Sequence, residues 1–133
     1  MPSSTGGTYV LVLRLDEDAT IGVGKLGEFV FSAGYYLYVG SARGSGGLSA
    51  RIERHKRADK KVHWHIDHLL PPASIVEVWW IESPRRLECK VAEAIRAFPD
   101  VSVPAPGFGS SDCGCSAHLF YSSHVPDFQA VRS

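Results

Sequence analysis

Two side chains suited to handling a phosphate, Arg51 and His55, stand four residues apart in the stretch GLSARIERHK. On a helix that spacing puts both on one face. A guanidinium offers a planar fork of donors to an anion, and an imidazole titrating near neutrality can take or place a proton. The charge around them is uneven. Of the 14 Lys and Arg residues, seven lie between Arg43 and Lys61, against only Glu53 and Asp59 in the same window. Such an excess is the footprint of a phosphate-facing patch, and equally of a solvated helix face. Arg54, Lys56 and Lys60 belong to it as candidates for nucleic-acid contact. Ser41 and Arg43 join them at the preceding glycine-rich turn, where backbone N–H groups and a guanidinium could hold flanking phosphates.

The elements that must position these groups follow from pattern. TYVLVLRL, from Thr8, is apolar, aromatic and β-branched enough for a strand buried on both faces. Asp16-Glu17-Asp18 signals a turn, and Thr20 to Val23 with Glu28 to Phe31 suits a short hairpin around Gly24-Lys25-Leu26-Gly27. Tyr35 to Val39 is the next strand, and it runs into the glycine-rich turn and a helix over roughly 47–58. A second helix is expected over His63 to Leu70, ended by Pro71-Pro72, and a strand over Ile75 to Ile81. Ser83-Pro84 supplies an N-cap and a first-turn proline to a third helix. Leu87, Val91, Ala94, Ile95 and Phe98 mark its core face, and Pro99 stops it. Residues 99–114, rich in Pro, Gly and Ser, read as a long loop, and Ala117 to Ser122 as a last strand. The fold class expected is α/β in the α+β sense: a small, mostly antiparallel sheet flanked by helices.

Composition sets the outer limits. At 133 residues and 44% hydrophobic, the chain suits one compact domain, residues 7–122, with a leader at 1–6 and a tail at 123–133. Equal numbers of acidic and basic residues, 14 each, exclude neither nucleic acid nor a neutral partner. No apolar run approaches the roughly 18 residues that span a membrane, and MPSSTGG lacks the parts of a secretory signal. Three cysteines make no disulfide framework, so a reduced, cytoplasmic protein is expected.

Gly7-Thr8-Tyr9, Tyr38-Val39-Gly40-Ser41, Arg51 with His55, and a downstream helical Glu88 occur in that order. Together they resemble the signature of the GIY-YIG nuclease superfamily over residues 7 to about 98. The stretches HWHID, from His63, and GFGSSDCGCSAHL, from Gly107, resemble a branch made of small stand-alone domains or of domains fused to endonuclease-III-like repair glycosylases. The resemblance implies a metal-dependent endonuclease that hydrolyses phosphodiester bonds in DNA repair, recombination or processing. Its partner would be nucleic acid, most readily DNA, with a repair protein as a further partner and no membrane.

On that resemblance Glu88 would bind a single Mg²⁺ or Mn²⁺, since one carboxylate with several waters is a common way of holding Mg²⁺. Arg51 would clamp the scissile phosphate. His55 would act as general base or place the water, or serve only as a structural histidine. Tyr9 and Tyr38 would be the paired tyrosines, one of them a candidate base, although a phenol with a pKa near 10 needs help from neighbouring cations. Tyr9 and Tyr38 lie 29 positions apart, so the insert Asp16 to Gly34 could cover or reshape the cleft. Gly34-Tyr35-Tyr36 is no alternative first triplet, because it shares a strand with Tyr38-Val39-Gly40. The late polar residue of many relatives has no clear equivalent among Ser110, Ser111 and Asp112.

Cys113-x-Cys115-x-x-His118, with Cys89, offers four zinc ligands but not the usual knuckle spacing, which argues against zinc. His63, His65 and His68 remain unassigned. Two further functions stay open beside the nuclease: a nucleic-acid-binding module that does not cut, and a small zinc-stabilised interaction domain.

Overall fold

The computed structural model describes residues 6–42, 47–56, 66–70, 72–82, 88–97, 101–104 and 118–123, without the side chains of Lys25, Glu88 and Cys89. The elements run β1 (Gly7–Leu15), β2 (Ala19–Gly22), a short 3-10 turn (Gly24–Leu26), β3 (Glu28–Phe31), β4 (Gly34–Ala42), α1 (Gly47–Lys56), α2 (Ile66–Leu69), β5 (Ser74–Glu82), α3 (Glu88–Arg96) and β6 (Leu119–Ser122). Four strands form an antiparallel sheet in the order β5-β1-β4-β6, and β2 pairs with β3 in a separate two-stranded sheet. The expected α+β class, with a mostly antiparallel sheet and flanking helices, is the one found.

β1 lies inside the sheet and is buried except at Arg14, as its unbroken apolar run requires. Strand alternation divides its side chains between two cores. Tyr9, Leu11, Leu13 and Leu15 join Tyr36, Tyr38, Leu48 and Ile52 of α1, and Ile66 and Leu69 of α2. Val10 and Val12 join Leu37, Val39, Trp79 and Phe120, with Ala92 and Ile95 of α3. Hence α1 and α2 cover one face of the sheet and α3 the other.

The hairpin insert forms where the glycines suggested. Gly24 and Gly27 take φ values of 50° and 115°, which L residues avoid, and the Val23 N–H closes the turn on the Gly27 carbonyl at 2.8 Å. Val23 and Phe31 are buried, and Ile21, Leu26 and Phe29 pack on the α1/α2 core, so the insert thickens that face. Gly34-Tyr35-Tyr36 and Tyr38-Val39-Gly40 share β4, which runs on to Ala42.

Three expectations change. The second helix ends at Leu69, one residue before Leu70, and His63, Trp64 and His65 of its expected range lie outside the described residues. Ala94 of α3 is exposed, because the buried pair is Ala92 and Ile95, three apart, and Ala94 falls off that stripe. Within the expected loop at 99–114, Ser102 exchanges two backbone hydrogen bonds with Tyr121, at 3.0 and 2.8 Å, and so extends the sheet beyond β6. Ser83, Pro84, Phe98, Pro99 and residues 105–117 are outside the described residues, as are 1–5 and 124–133. Among the described residues no helix is long and apolar enough to cross a membrane.

Candidate active site

The β1–β4 ladder sets Tyr9 opposite Gly40, Leu11 opposite Tyr38, and Thr8 opposite Ser41. Tyr9 and Tyr38 therefore project from the same face of neighbouring strands. Glycine is demanded at two points. A Cβ at Gly40 would lie 2.4 Å from Cζ and Oη of Tyr9, so the phenol ring lies across Gly40. A Cβ at Gly7 would meet the Ile81 carbonyl oxygen at 2.2 Å and Leu48 Cδ1 at 3.0 Å, so this glycine lets β5 and α1 close on the start of β1.

α1 lies over this end of the sheet, anchored by buried Leu48 and Ile52. Its next turns bring in the two residues expected to share a face. His55 Nε2 is 2.6 Å from the Tyr9 hydroxyl, with the rings tilted at 51°. Tyr38 meets the same imidazole edge-on, at 6.1 Å between centroids. Arg51, half-buried, donates from Nη1 to the Ser41 carbonyl oxygen at 2.8 Å. Tyr9, Tyr38, Arg51 and His55, drawn from three separate stretches of chain, thus form one cluster.

Its electrostatics are decided by burial. Tyr9 is 1% and His55 2% exposed. Desolvation raises the Tyr9 pKa well above its ordinary value, Tyr38 adds to the rise, and Arg51 opposes it by charge and hydrogen bonding, with Arg54 helping. The phenol therefore stays protonated near neutrality. Its oxygen and His55 Nε2 share one hydrogen bond, whose direction follows the imidazole tautomer. Through that bond Tyr9 holds the His55 ring in place.

The other candidates are placed differently. Arg54, expected to face phosphate, turns inward: Nη1 and Nη2 each lie 3.2 Å from a carboxylate oxygen of Asp67, whose side chain is 1% exposed. The pair ties α1 to α2, because a buried carboxylate requires a cation within reach. The Ser41 carbonyl is taken by Arg51, which leaves the backbone N–H expected at phosphate untouched by that bond. The Ser41 hydroxyl, by strand alternation, belongs to the opposite face, where Ser41 Oγ and Thr8 Oγ1 are both buried without hydrogen-bond partners. Lys56 is exposed at the end of α1. Arg43 and Lys60 lie outside the described residues, as do His63, His65, Cys113 and Cys115.

α3 begins at Glu88, six residues past the end of β5, whose last residue, Glu82, pairs with Gly7. α3 itself packs on the face of the sheet opposite α1. Among the described residues no three His, Cys, Asp or Glu come together. His118, from the sequence-suggested zinc group, is buried, and its carbonyl accepts from the Val39 N–H at 2.9 Å.

Two residues of this neighbourhood were missed from the sequence. Asp67 carried a signal, a lone carboxylate inside an apolar helical stretch beside a basic helix. Trp80 carried none, since its place opposite Tyr9 depends on the β1–β5 register.

The model of the family described as Domain of unknown function DUF123 matches residues 8–132. The chain belongs to that family. The DUF123 match begins beside Tyr9 and spans every element from β1 to β6, so both tyrosines, Arg51, His55 and Glu88 lie within it. Among curated proteins and among solved structures, no match to this DUF123 chain was found.

Proposed function

We propose that this DUF123 domain is a metal-dependent endonuclease-like domain that hydrolyses nucleic-acid phosphodiester bonds, with DNA as substrate in repair, recombination or processing. The observation that carries the reading is the meeting of Tyr9, Tyr38, Arg51 and His55 under α1, because these are the residues on which the resemblance to GIY-YIG nucleases rests. Arg51, half-buried with its guanidinium at the end of β4, binds a non-bridging phosphate oxygen and stabilises the charge that grows as water attacks. His55, carrying its proton on Nε2 toward the Tyr9 oxygen, accepts at Nδ1 the proton that the attacking water loses. Tyr9 is then a positioning residue, and Tyr38 fixes the imidazole from its edge. Arg43, Lys56 and Lys60 add charge for the flanking strand. Glu88, with waters, is the residue that would hold Mg²⁺ or Mn²⁺, which would supply positive charge to offset that of the reacting phosphate.

One observation favours a second reading, a nucleic-acid-binding module that does not cut. Tyr9 and His55 are almost wholly buried, so the proton acceptor is shut from solvent in this conformation.

A cleavage assay on plasmid, flap and branched DNAs with Mg²⁺ or Mn²⁺ separates the two. On the nuclease reading the wild-type protein cuts, whereas Glu88→Ala and Arg51→Ala do not. Equal cutting by all three removes the assignment. DNA binding that weakens with salt, but with no turnover in either metal, establishes the non-cutting module.

A further inference from the structure

The β1–β5 register places Trp80 directly opposite Tyr9 on the face covered by α1. Directly opposed side chains in antiparallel strands have Cβ atoms about 5 Å apart, so the indole neighbours the Tyr9–His55–Arg51 cluster. Trp79, one residue earlier, points into the other core and is 3% exposed, whereas Trp80 is only partly buried. β5 is the outer strand of the sheet, and among the described residues nothing pairs with its free edge. Trp80 thus packs on the core while keeping part of its surface accessible at the outer strand.

Charge decides what that ring suits. Glu82, two residues on, projects from the same face and is exposed, so this flank repels phosphate. Arg51 and Lys56 of α1 attract it. A nucleotide that sets its phosphate at Arg51 would therefore turn an uncharged base, not backbone, toward Trp80. A base can offer its π-face to an indole only when it has left the double-helical stack.

We propose that Trp80 is a stacking platform for one unpaired nucleobase beside the phosphate held at Arg51. The substrate class is then DNA with a locally unpaired strand, such as a flap, gap or branch, and not continuous duplex. This inference rests on the nucleic-acid reading above and deepens it.

The test uses the full chain without divalent metal, so that it does not depend on cleavage. Binding is measured to a flap DNA carrying 2-aminopurine at the first unpaired position, and to continuous duplex of the same length. Trp80→Leu keeps the apolar packing and removes the π-system, whereas Trp80→Phe keeps a smaller π-face; circular dichroism and thermal melting verify that both fold. The wild-type protein should quench 2-aminopurine and prefer the flap. Trp80→Leu should bind the flap roughly ten- to hundredfold more weakly, the usual worth of one stacked base, with duplex binding unchanged. Trp80→Phe should retain most of the preference. Equal loss on flap and duplex, absence of quenching, or an unaffected Trp80→Leu variant overturns the proposal. If the wild-type protein cuts with Mg²⁺ while Trp80→Leu keeps the flap preference, the stacking platform falls and the nuclease reading stands. If the preference depends on Trp80 but no metal supports cutting, the platform stands and catalysis falls. Failure to bind any DNA removes both.

Discussion

Gly40 faces Tyr9 across the β1–β4 ladder, and the phenol occupies the space that any side chain at position 40 would fill. The two residues are therefore one structural unit, although 31 positions separate them. The ring must lie across Gly40 for its hydroxyl to reach His55 Nε2 at 2.6 Å.

Gly40→Ala should accordingly destabilise the fold by about 1–3 kcal/mol, as overpacking of a close-packed site does. The cost should fall sharply when the ring is absent. A double-mutant cycle of Gly40→Ala with Tyr9→Ala in urea denaturation should show a coupling of about 0.5–3 kcal/mol. Strict additivity would mean that the two side chains do not compete for the same space.

The Arg54–Asp67 pair makes an asymmetric prediction. Truncating Arg54 leaves a carboxylate that is 1% exposed, whereas truncating Asp67 leaves a guanidinium that is 19% exposed and can reach water. Arg54→Ala should cost about 3 kcal/mol or more, and Asp67→Ala less. The salt dependence of DNA binding supplies the second measurement. Lys56→Ala should flatten the slope of log affinity against log salt, and Arg54→Ala should leave it unchanged. A flattened slope for Arg54→Ala would return that residue to the phosphate contacts.

Two buried phenols predict the behaviour at high pH. Tyr36 is wholly buried and hydrogen-bonded to the Ser32 carbonyl at 2.5 Å. Its pKa is raised by burial first, and then by Tyr121 and Asp18. Tyr9 is raised likewise. A raised folded-state pKa contributes stability that is fully present below the unfolded value, near 10, and is lost as pH climbs toward the folded value. In that window the unfolded chain releases protons that the folded chain keeps. Stability should decline above about pH 10 by about 1.4 kcal/mol per pH unit for each such phenol. Tyr36→Phe should make the decline shallower by about one phenol's share, and an unchanged slope would remove Tyr36 from the account.

Local signals announced most of the scaffold. The unbroken apolar run of β1 required burial on both faces, and the glycines at 24 and 27 marked the hairpin turn. Arg51 and His55 were readable as neighbours because helical geometry alone relates residues four apart. Other placements depend on contacts between distant elements. Arg54 was one of several cations on a basic helix, and what singles it out is a carboxylate 13 residues away on another element. Trp80 meets Tyr9 only through the pairing of two strands that lie 71 positions apart at this point, and no local pattern encodes that register. Ser41 stands three positions after Tyr38 on one strand, so parity alone assigns its side chain to the opposite face.

The inner position of β1 bears on how the chain can be made. Its two neighbours in the sheet, β4 and β5, end at Ala42 and Glu82, so β1 emerges from the ribosome long before its second edge can be covered. A nascent chain halted before Ser74 holds a nine-residue apolar strand with one open side, which is the kind of edge that pairs with other chains. Closure of the sheet therefore awaits a distant segment, and the domain should fold as a single late event with no stable half.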